Sequence, residues 1–236
     1  MEKIRINKYI AESGYCSRRK ADELIEYGKV KINGKIIKEF GVKVNNNDKV
    51  EIAGKILKNP LTFEDNRKKI YLILNKPVGY ISSTISNQGK CIMDLIPKKF
   101  GRLFPIGRLD KNSEGLMILT NDGELTNILT HPKYQHEKEY EIVVAKELTP
   151  AQIKKLIRGF EVEGQFMKVN SIKIIHNLDM LAYQFVLTEG KKRQIRLMLK
   201  YLGHRILKLK RIRINKLLLG NLRIGKWEEI KKHQII

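Results

Sequence analysis

The chain has 236 residues and is 42% hydrophobic, enough for a buried core in one main domain with a small appendage. Its 47 Lys and Arg against 25 Asp and Glu leave a formal charge of +22, a self-repulsion that points to a polyanionic partner, nucleic acid first. Two distant cysteines, Cys16 and Cys91, argue against a disulfide framework or a zinc site; no apolar run nears the ~18 residues of a membrane span, and the charged N-terminus lacks a signal-peptide apolar region, so a cytoplasmic, soluble protein is expected.

Ile6, Tyr9 and Ile10 fall at i, i+3, i+4 and predict a short amphipathic helix ended by Gly14. Ser17 offers the N-cap of a second helix, with Ala21, Leu24 and Ile25 on its buried face and Gly28 past its end. A strand over Lys29–Ile32, the tight-turn dipeptide Asn33-Gly34, the turn Asn45–Asp48 and the alternation Val50-Glu51-Ile52 complete a small α+β unit ending near Leu57. Arg18, Arg19 and Lys20 occupy the first turn of the second helix, where cations oppose the helix dipole and an acid would be favoured by ~0.3–1 kcal/mol. A solvated helix end that tolerates this is the plain reading; contact with phosphates explains the wrong-signed placement better.

Lys58–Lys69 is polar, charged and broken by Pro60, which suits a linker. The main domain opens with a strand at Ile70–Leu74, stopped by Asn75-Lys76-Pro77. Further strands are predicted at 116–120, 139–145, 170–176 and 181–188, with a helix over 150–158 after the Thr149-Pro150 start signal. Short strands with interspersed helices and no repeating βα period predict an α+β fold with a mostly antiparallel sheet. The segment from Lys191 to Lys216 carries eleven cations and no carboxylate, among them Lys191, Lys192, Arg193, Arg196, Lys208, Lys210 and Arg211. Interleaved apolar residues such as Ile195, Met198 and Leu209 predict that it folds and presents a basic face, and is not a disordered tail.

The five histidines show no paired ligand spacing, and neither a phosphate-cradling nor a dinucleotide glycine motif is present, so no metal and no cofactor are expected. Asp110, Asn112, Glu114 and Gly115 match part of an EF-hand loop, but the twelfth position is Asn121 and the flanks read as strand. There remain Asp110 in a polar turn between Gly107 and Gly115, with Arg108 two residues before it, Tyr140 in a strand and Arg196 in the basic segment. By pattern alone each has an ordinary reading as a capping carboxylate, a half-buried aromatic or a phosphate contact.

The first quarter of the chain, through Arg5–Ile10, Cys16–Asp22 and Gly28–Gly34, resembles an S4 RNA-binding domain. Gly107-Arg108-Leu109-Asp110 with Ser113–Leu116, then Glu137–Tyr140, then Arg193-Gln194-Ile195-Arg196, resemble in order the three motifs of RNA pseudouridine synthases. Together with the S4 domain they place the chain in the RsuA/RluB/RluF branch. The wording His136–Tyr140 is most similar to RluF-like members, which act on large-subunit ribosomal RNA. Leu197 departs from the basic residue usual there. The resemblance implies an S4-like domain over 1–57, a linker over 58–69 and a catalytic domain over 70–236, built as a mostly antiparallel mixed sheet with flanking helices. It implies isomerisation of uridine to pseudouridine without cofactor, with Asp110 as nucleophile, Arg196 its ion-pair partner, Tyr140 stacked on the uracil and Arg108 filling the space of the flipped base. Arg18, Arg19, Lys20, Lys191, Lys192, Arg193, Lys208, Lys210 and Arg211 would bind RNA. The expected partner of this monomer is ribosomal RNA, 23S first, or an assembling ribosomal particle; 16S or transfer RNA, and a non-catalytic ribosome-assembly role, are the alternatives.

Overall fold

Asn33 and Gly34 both take positive φ (49° and 82°), the two-residue turn whose twist matches a right-handed hairpin. That hairpin sits in the first of two units, residues 1–68 and 69–236, of a computed structural model that describes residues 3–60, 68–84, 89–177 and 180–236. The first unit runs β1 (Ile4–Arg5), α1 (Ile6–Glu12), α2 (Arg18–Glu26), β2 (Val30–Ile32), β3 (Lys35–Ile37), β4 (Lys43–Val44), β5 (Val50–Ile52) and β6 (Lys55–Ile56). Strands order as β3-β2-β5-β6, with β1 and β4 paired separately. Ile6, Tyr9 and Ile10 from α1 and Ala21 and Ile25 from α2 share one core with Val30, Val50 and Ile52. The helical spacing read from the sequence is therefore the buried stripe. Ser17 caps α2 through its Oγ, which accepts from the Lys20 N–H at 3.1 Å, a contact worth about 0.5–2 kcal/mol. Arg18, Arg19 and Lys20 are exposed; Lys20 is held by Glu23 at 2.7 Å. Residues 61–67 of the expected linker lie outside the described residues.

The second unit continues with β7 (Tyr71–Lys76), β8 (Phe104–Ile106), β9 (Glu114–Thr120), α3 (Gly123–Thr130), β10 (Lys138–Val144) and α4 (Pro150–Arg158). It ends with β11 (Phe160–Val162), β12 (Gln165–Met167), β13 (Ser171–Asn177), β14 (Met180–Leu187), α5 (Gln194–Tyr201), β15 (Ile206–Ile214), β16 (Leu217–Leu218) and β17 (Trp227–Glu229). Its main sheet runs β13-β14-β10-β15-β9-β7-β17, with β8 on β9 and β16 on β15. The β9–β15 pair is parallel, and the other ladders of this sheet are antiparallel. The fold is α+β with a mostly antiparallel sheet. Leu72, Leu74, Met117 and Leu119 pack on one face of β7 and β9, and Ile73, Leu116 and Ile118 on the other with Leu125 and Leu129 of α3. Burial on both faces is why these two strands read as continuous apolar runs. On the far half of the sheet, Leu156 of α4 and Ile195, Met198 and Leu199 of α5 cover Ile142, Tyr183, Phe185 and Leu209.

Two expectations are corrected. The first strand does not stop at Leu74: β7 runs through Asn75 and Lys76, both buried, because the Asn75 amide N–H and the Lys76 ammonium find acceptors inside the fold. Asn75 Nδ2 donates to the Leu222 carbonyl at 2.7 Å, and Lys76 is met by a ring of carbonyls described below. The basic segment 191–216 folds as α5 and β15, but it is not a uniformly free cationic face. Arg211 is 2% exposed, with Nε donating to the Leu116 carbonyl at 2.8 Å and Nη2 against Met117 Sδ. It braces the parallel β9–β15 pair from within and is no surface RNA contact. Neighbouring strands also supply the carboxylates that the segment lacks. Arg213 is bound by Glu137 and Glu139 at 2.9 and 2.7 Å, and Lys208 lies 3.8 and 3.5 Å from Glu114 and Glu141.

Candidate active site

The turn carrying Asp110 links β8 to β9 and is fastened from below. Lys76, at the end of β7 and fully buried, points its ammonium into four carbonyls: Ser113 at 2.6 Å, Pro77 at 3.0 Å, Asp110 at 3.1 Å and Lys111 at 3.4 Å. Ser82 grips the same turn from the side, its Oγ donating to the Leu109 carbonyl at 2.6 Å and accepting from the Leu109 N–H at 3.0 Å. Three of the Lys76 acceptors are backbone atoms of the turn itself, so one buried cation sets its path. Burial pushes the Lys76 ammonium down to about 8, against the partial support of the Asp110 and Glu114 charges.

Above this floor, the Asp110 carboxylate is about one-third exposed and flanked by two guanidinium groups. Arg196 Nε lies 3.6 Å and Arg193 Nη1 3.8 Å from Oδ2. Charge-assisted hydrogen bonds are about 2.7–2.9 Å long, so both cations flank the carboxylate without occupying its lone pairs. Arg196 is itself anchored, its Nη2 donating to the Asn112 carbonyl at 2.6 Å and to Ser113 Oγ at 3.0 Å. Its buried Nε has no hydrogen-bond partner among the described residues. Burial lowers the hold of Arg196 on its proton, Asp110 opposes that, and Arg193 adds to it. Arg193 sits at the N-cap of α5 in the left-handed region, φ 56°, a strained placement of the kind that clusters at functional sites. The start of α5 is tied by Gln194, 4% exposed, whose Nε2 donates to Glu189 at 2.5 Å and to the Lys168 carbonyl at 2.9 Å.

Tyr140 faces the same cleft from β10, with Leu187 and Leu209 as its apolar neighbours and Arg108 at the exposed rim. The β10–β15 register shifts between Glu139 and Tyr140, an irregularity of the kind that re-aims a side chain. The cleft therefore joins a carboxylate, an aromatic face and two cations, one of them anchored, a setting for a planar, polar ring attached to a phosphate chain. Among the described residues, no group of three or more His, Cys, Asp or Glu is placed to hold a metal ion.

The residues singled out by sequence are thus distributed unevenly. Asp110, Tyr140, Arg196, Arg108, Arg193 and Lys191 line one cleft. Lys192 is exposed nearby in sequence, whereas Lys191 is paired with Glu189 at 2.9 Å and also donates to the Phe166 carbonyl. Lys208 and the half-buried Lys210 lie on β15, Arg211 is in the core, and Arg18, Arg19 and Lys20 belong to the first unit. The sequence named Ser113 and Gln194 only as members of the motifs, without a role, and Lys76 and Glu189 escaped sequence reasoning. A lysine between an apolar run and a proline carries no periodic signal that it is buried.

A model of the family described as RNA pseudouridylate synthase matches residues 70–201, and an S4 domain model matches residues 4–50. The chain belongs to the RNA pseudouridylate synthase family. Over 98% of its length this synthase is 38% identical to the ribosomal large subunit pseudouridine synthase B of Bacillus subtilis (strain 168), covering 93% of that protein. It is 37% identical, over 99% of its length and 77% of the relative, to the dual-specificity RNA pseudouridine synthase RluF of Escherichia coli (strain K12). A crystal structure of a pseudouridylate synthase superposes with a TM-score of 0.68 at 27% identity, over 98% of each chain. The protein is an RNA pseudouridine synthase, an isomerase built on an S4 domain and a synthase domain.

The Lys76 floor gives the synthase a pH signature. Above about pH 8 the amine turns neutral and loses one N–H, so the Asp110 turn loses part of its clamp; the expected result is a decline in turnover through that range. Stability moves the other way. Between about pH 8 and the ordinary lysine value of 10.5 the unfolded chain holds a proton that the folded chain releases, so this residue's contribution to stability rises with pH. Single-turnover rates and urea midpoints from pH 7 to 9.5, for the natural chain and for Lys76→Met, test this. An alkaline limb unchanged in Lys76→Met assigns it to another group.

Proposed function

We propose that this synthase converts a specific uridine of large-subunit (23S) ribosomal RNA to pseudouridine, with Asp110 as its nucleophile. The observation that carries the reading is the Asp110 carboxylate, held between Arg193 and Arg196 in the cleft that Tyr140 lines. Isomerisation breaks the N1–C1′ bond, turns the uracil and forms a C5–C1′ bond; a proton leaves C5 and one is gained at N1. Atoms and electrons balance within the substrate, so the side chains need only supply a nucleophile, a stacking surface and a route for the proton. Attack at C1′, attack at C6 and initial removal of a sugar proton all start from the Asp110 carboxylate that the two guanidinium groups flank.

The target base leaves its stack at a cost of a few kcal/mol. Tyr140 receives its ring face, and its hydroxyl relays the C5 proton, handing its own to water as it takes that one, while Arg108 at the rim occupies the vacated space. Arg18, Arg19, Lys192 and Lys210 engage phosphates. The name of the Bacillus subtilis relative supports the large subunit as target. The words dual-specificity in the name of the Escherichia coli relative favour a second RNA substrate as the alternative.

Mapping pseudouridines in total RNA from cells with and without the gene tests the target. Loss of a 23S position supports the reading, loss only in 16S or transfer RNA reassigns the substrate, and an unchanged map overturns it. Tyr140→Phe keeps the ring and loses the hydroxyl, so turnover falls by about 10²–10⁴ while RNA affinity stays within twofold. Full activity in that variant removes the proton-transfer role.

A further inference from the structure

A second cavity lies in the first unit, lined by Arg5, Asn7, Asp22, Phe40 and Gly41. We propose that it is a base-reading pocket in which Asp22 and Phe40 bind one unpaired guanine of the RNA, with Arg5 on that nucleotide's phosphate. The inference rests on RNA as the partner, and on neither the 23S target nor the role of Asp110.

Phe40 is 62% exposed at the pocket mouth. An open aromatic face next to a guanidinium is a platform for an unstacked base, since every base has a face to stack on. Asp22 sets which base. It lies on α2 three and four residues after Arg19 and Arg18, hence on the same helix face and about 4.5–6 Å along the axis from them. Both arginines are exposed, where they meet phosphates. A carboxylate so placed repels the backbone that they attract, and it makes no ion pair with a described residue. Its Oδ1 accepts from Asn7 Nδ2 at 2.9 Å, which fixes the carboxylate plane, and the Asn7 Oδ1 beside it is buried without a partner among the described residues.

An ionised carboxylate only accepts hydrogen bonds. On its pairing edge guanine alone presents two adjacent donors, N1–H and N2–H. Adenine, cytosine and uracil each set an acceptor beside their donor and would turn a lone pair toward the carboxylate. The pocket therefore selects guanine, and it turns the misplaced negative charge into a specificity device.

The full chain is titrated with three uridine-free pentanucleotides, AAGAA, AAAAA and AACAA, so pseudouridine formation does not enter the measurement. The guanine oligonucleotide should bind about 5- to 150-fold more tightly, the discrimination of one bidentate base contact. Asp22→Asn keeps an oxygen for Asn7 Nδ2 but puts a donor where guanine also donates, so the preference disappears. Phe40→Ala, at an exposed position that leaves the core intact, weakens the guanine oligonucleotide by about fivefold or more. Equal binding of all three by the natural chain overturns the proposal. So does Asp22→Asn tightening all three alike, the outcome if Asp22 acts by charge alone.

Discussion

Asp110→Asn leaves a folded protein that binds RNA and forms no pseudouridine, with turnover down by 10⁴-fold or more, the order of loss when a nucleophile is removed. The turn around Asp110 is held through its backbone: Lys76 takes the Asp110 carbonyl, and the Ser113 N–H donates to that same carbonyl at 3.0 Å. Arg196 keeps its bonds to Asn112 and Ser113. The isosteric amide therefore disturbs neither the path of the turn nor the fold, and the lost quantity is chemical. Affinity should hold or rise, because Arg193 and Arg196 lose the anion between them and face the phosphates alone. Tritium release from RNA labelled at uracil C5, together with filter binding of the same RNA, separates the two quantities. Turnover within tenfold of the natural chain would refute the role of Asp110.

Gly115→Ala has the largest expected effect on stability. Gly115 has φ 108° and stands directly opposite Arg211 in the parallel β9–β15 pair. A Cβ there would lie 2.3 Å from the Arg211 carbonyl oxygen, 2.6 Å from its nitrogen and 3.0 Å from its carbonyl carbon. These are backbone atoms inside a ladder, with no rotamer by which to yield. Conformational strain of about 1–3 kcal/mol adds to a similar overpacking cost, for a total of roughly 3–5 kcal/mol. At about 2–4 °C per kcal/mol for a domain of this size, melting falls by roughly 6–20 °C. Melting within 2 °C of the natural chain would show that the two strands can part cheaply. The clash reaches function as well, since β9 begins immediately after the Asp110 turn and β15 follows α5, which carries Arg196.

Where local chemistry decides, the sequence was legible. The Thr149-Pro150 signal gave a helix over 150–158, which is α4, closed by a capping box between Thr149 and Gln152. The Asn33-Gly34 turn and the Ser17 cap likewise fall where their residue types place them. Long-range burial was not legible. Asn75 and Lys76 read as a strand stop because nothing nearby in sequence announces the carbonyls that solvate them. Arg211 read as a surface cation because its acceptors belong to Leu116 and Met117 on another strand. α3 was missed because Gly123, usually a breaker, follows the N-cap Asp122, whose Oδ1 accepts from the Glu124 and Leu125 N–H groups. The β11–β12 hairpin was missed although Glu163-Gly164 turns with both φ positive, at 51° and 72°. At the site, the family motifs named Asp110, Tyr140 and Arg196 and contain Gln194, whereas no motif pointed to Glu189, which lines the cleft and holds the start of α5 through Gln194.

The parallel β9–β15 pair also sets a timetable. Arg211 and Leu116, bonded across it, are 95 residues apart in the chain, and Arg196 and Asn112 are 84 apart. Contacts so distant are slow to close, and at synthesis rates of about 5–20 residues per second their partners emerge many seconds apart. The N-terminal unit, with its own core and short-range pairings, is complete long before that. During translation this chain can grasp RNA while its cleft is still missing one wall, so adhesion precedes turnover in the life of each molecule.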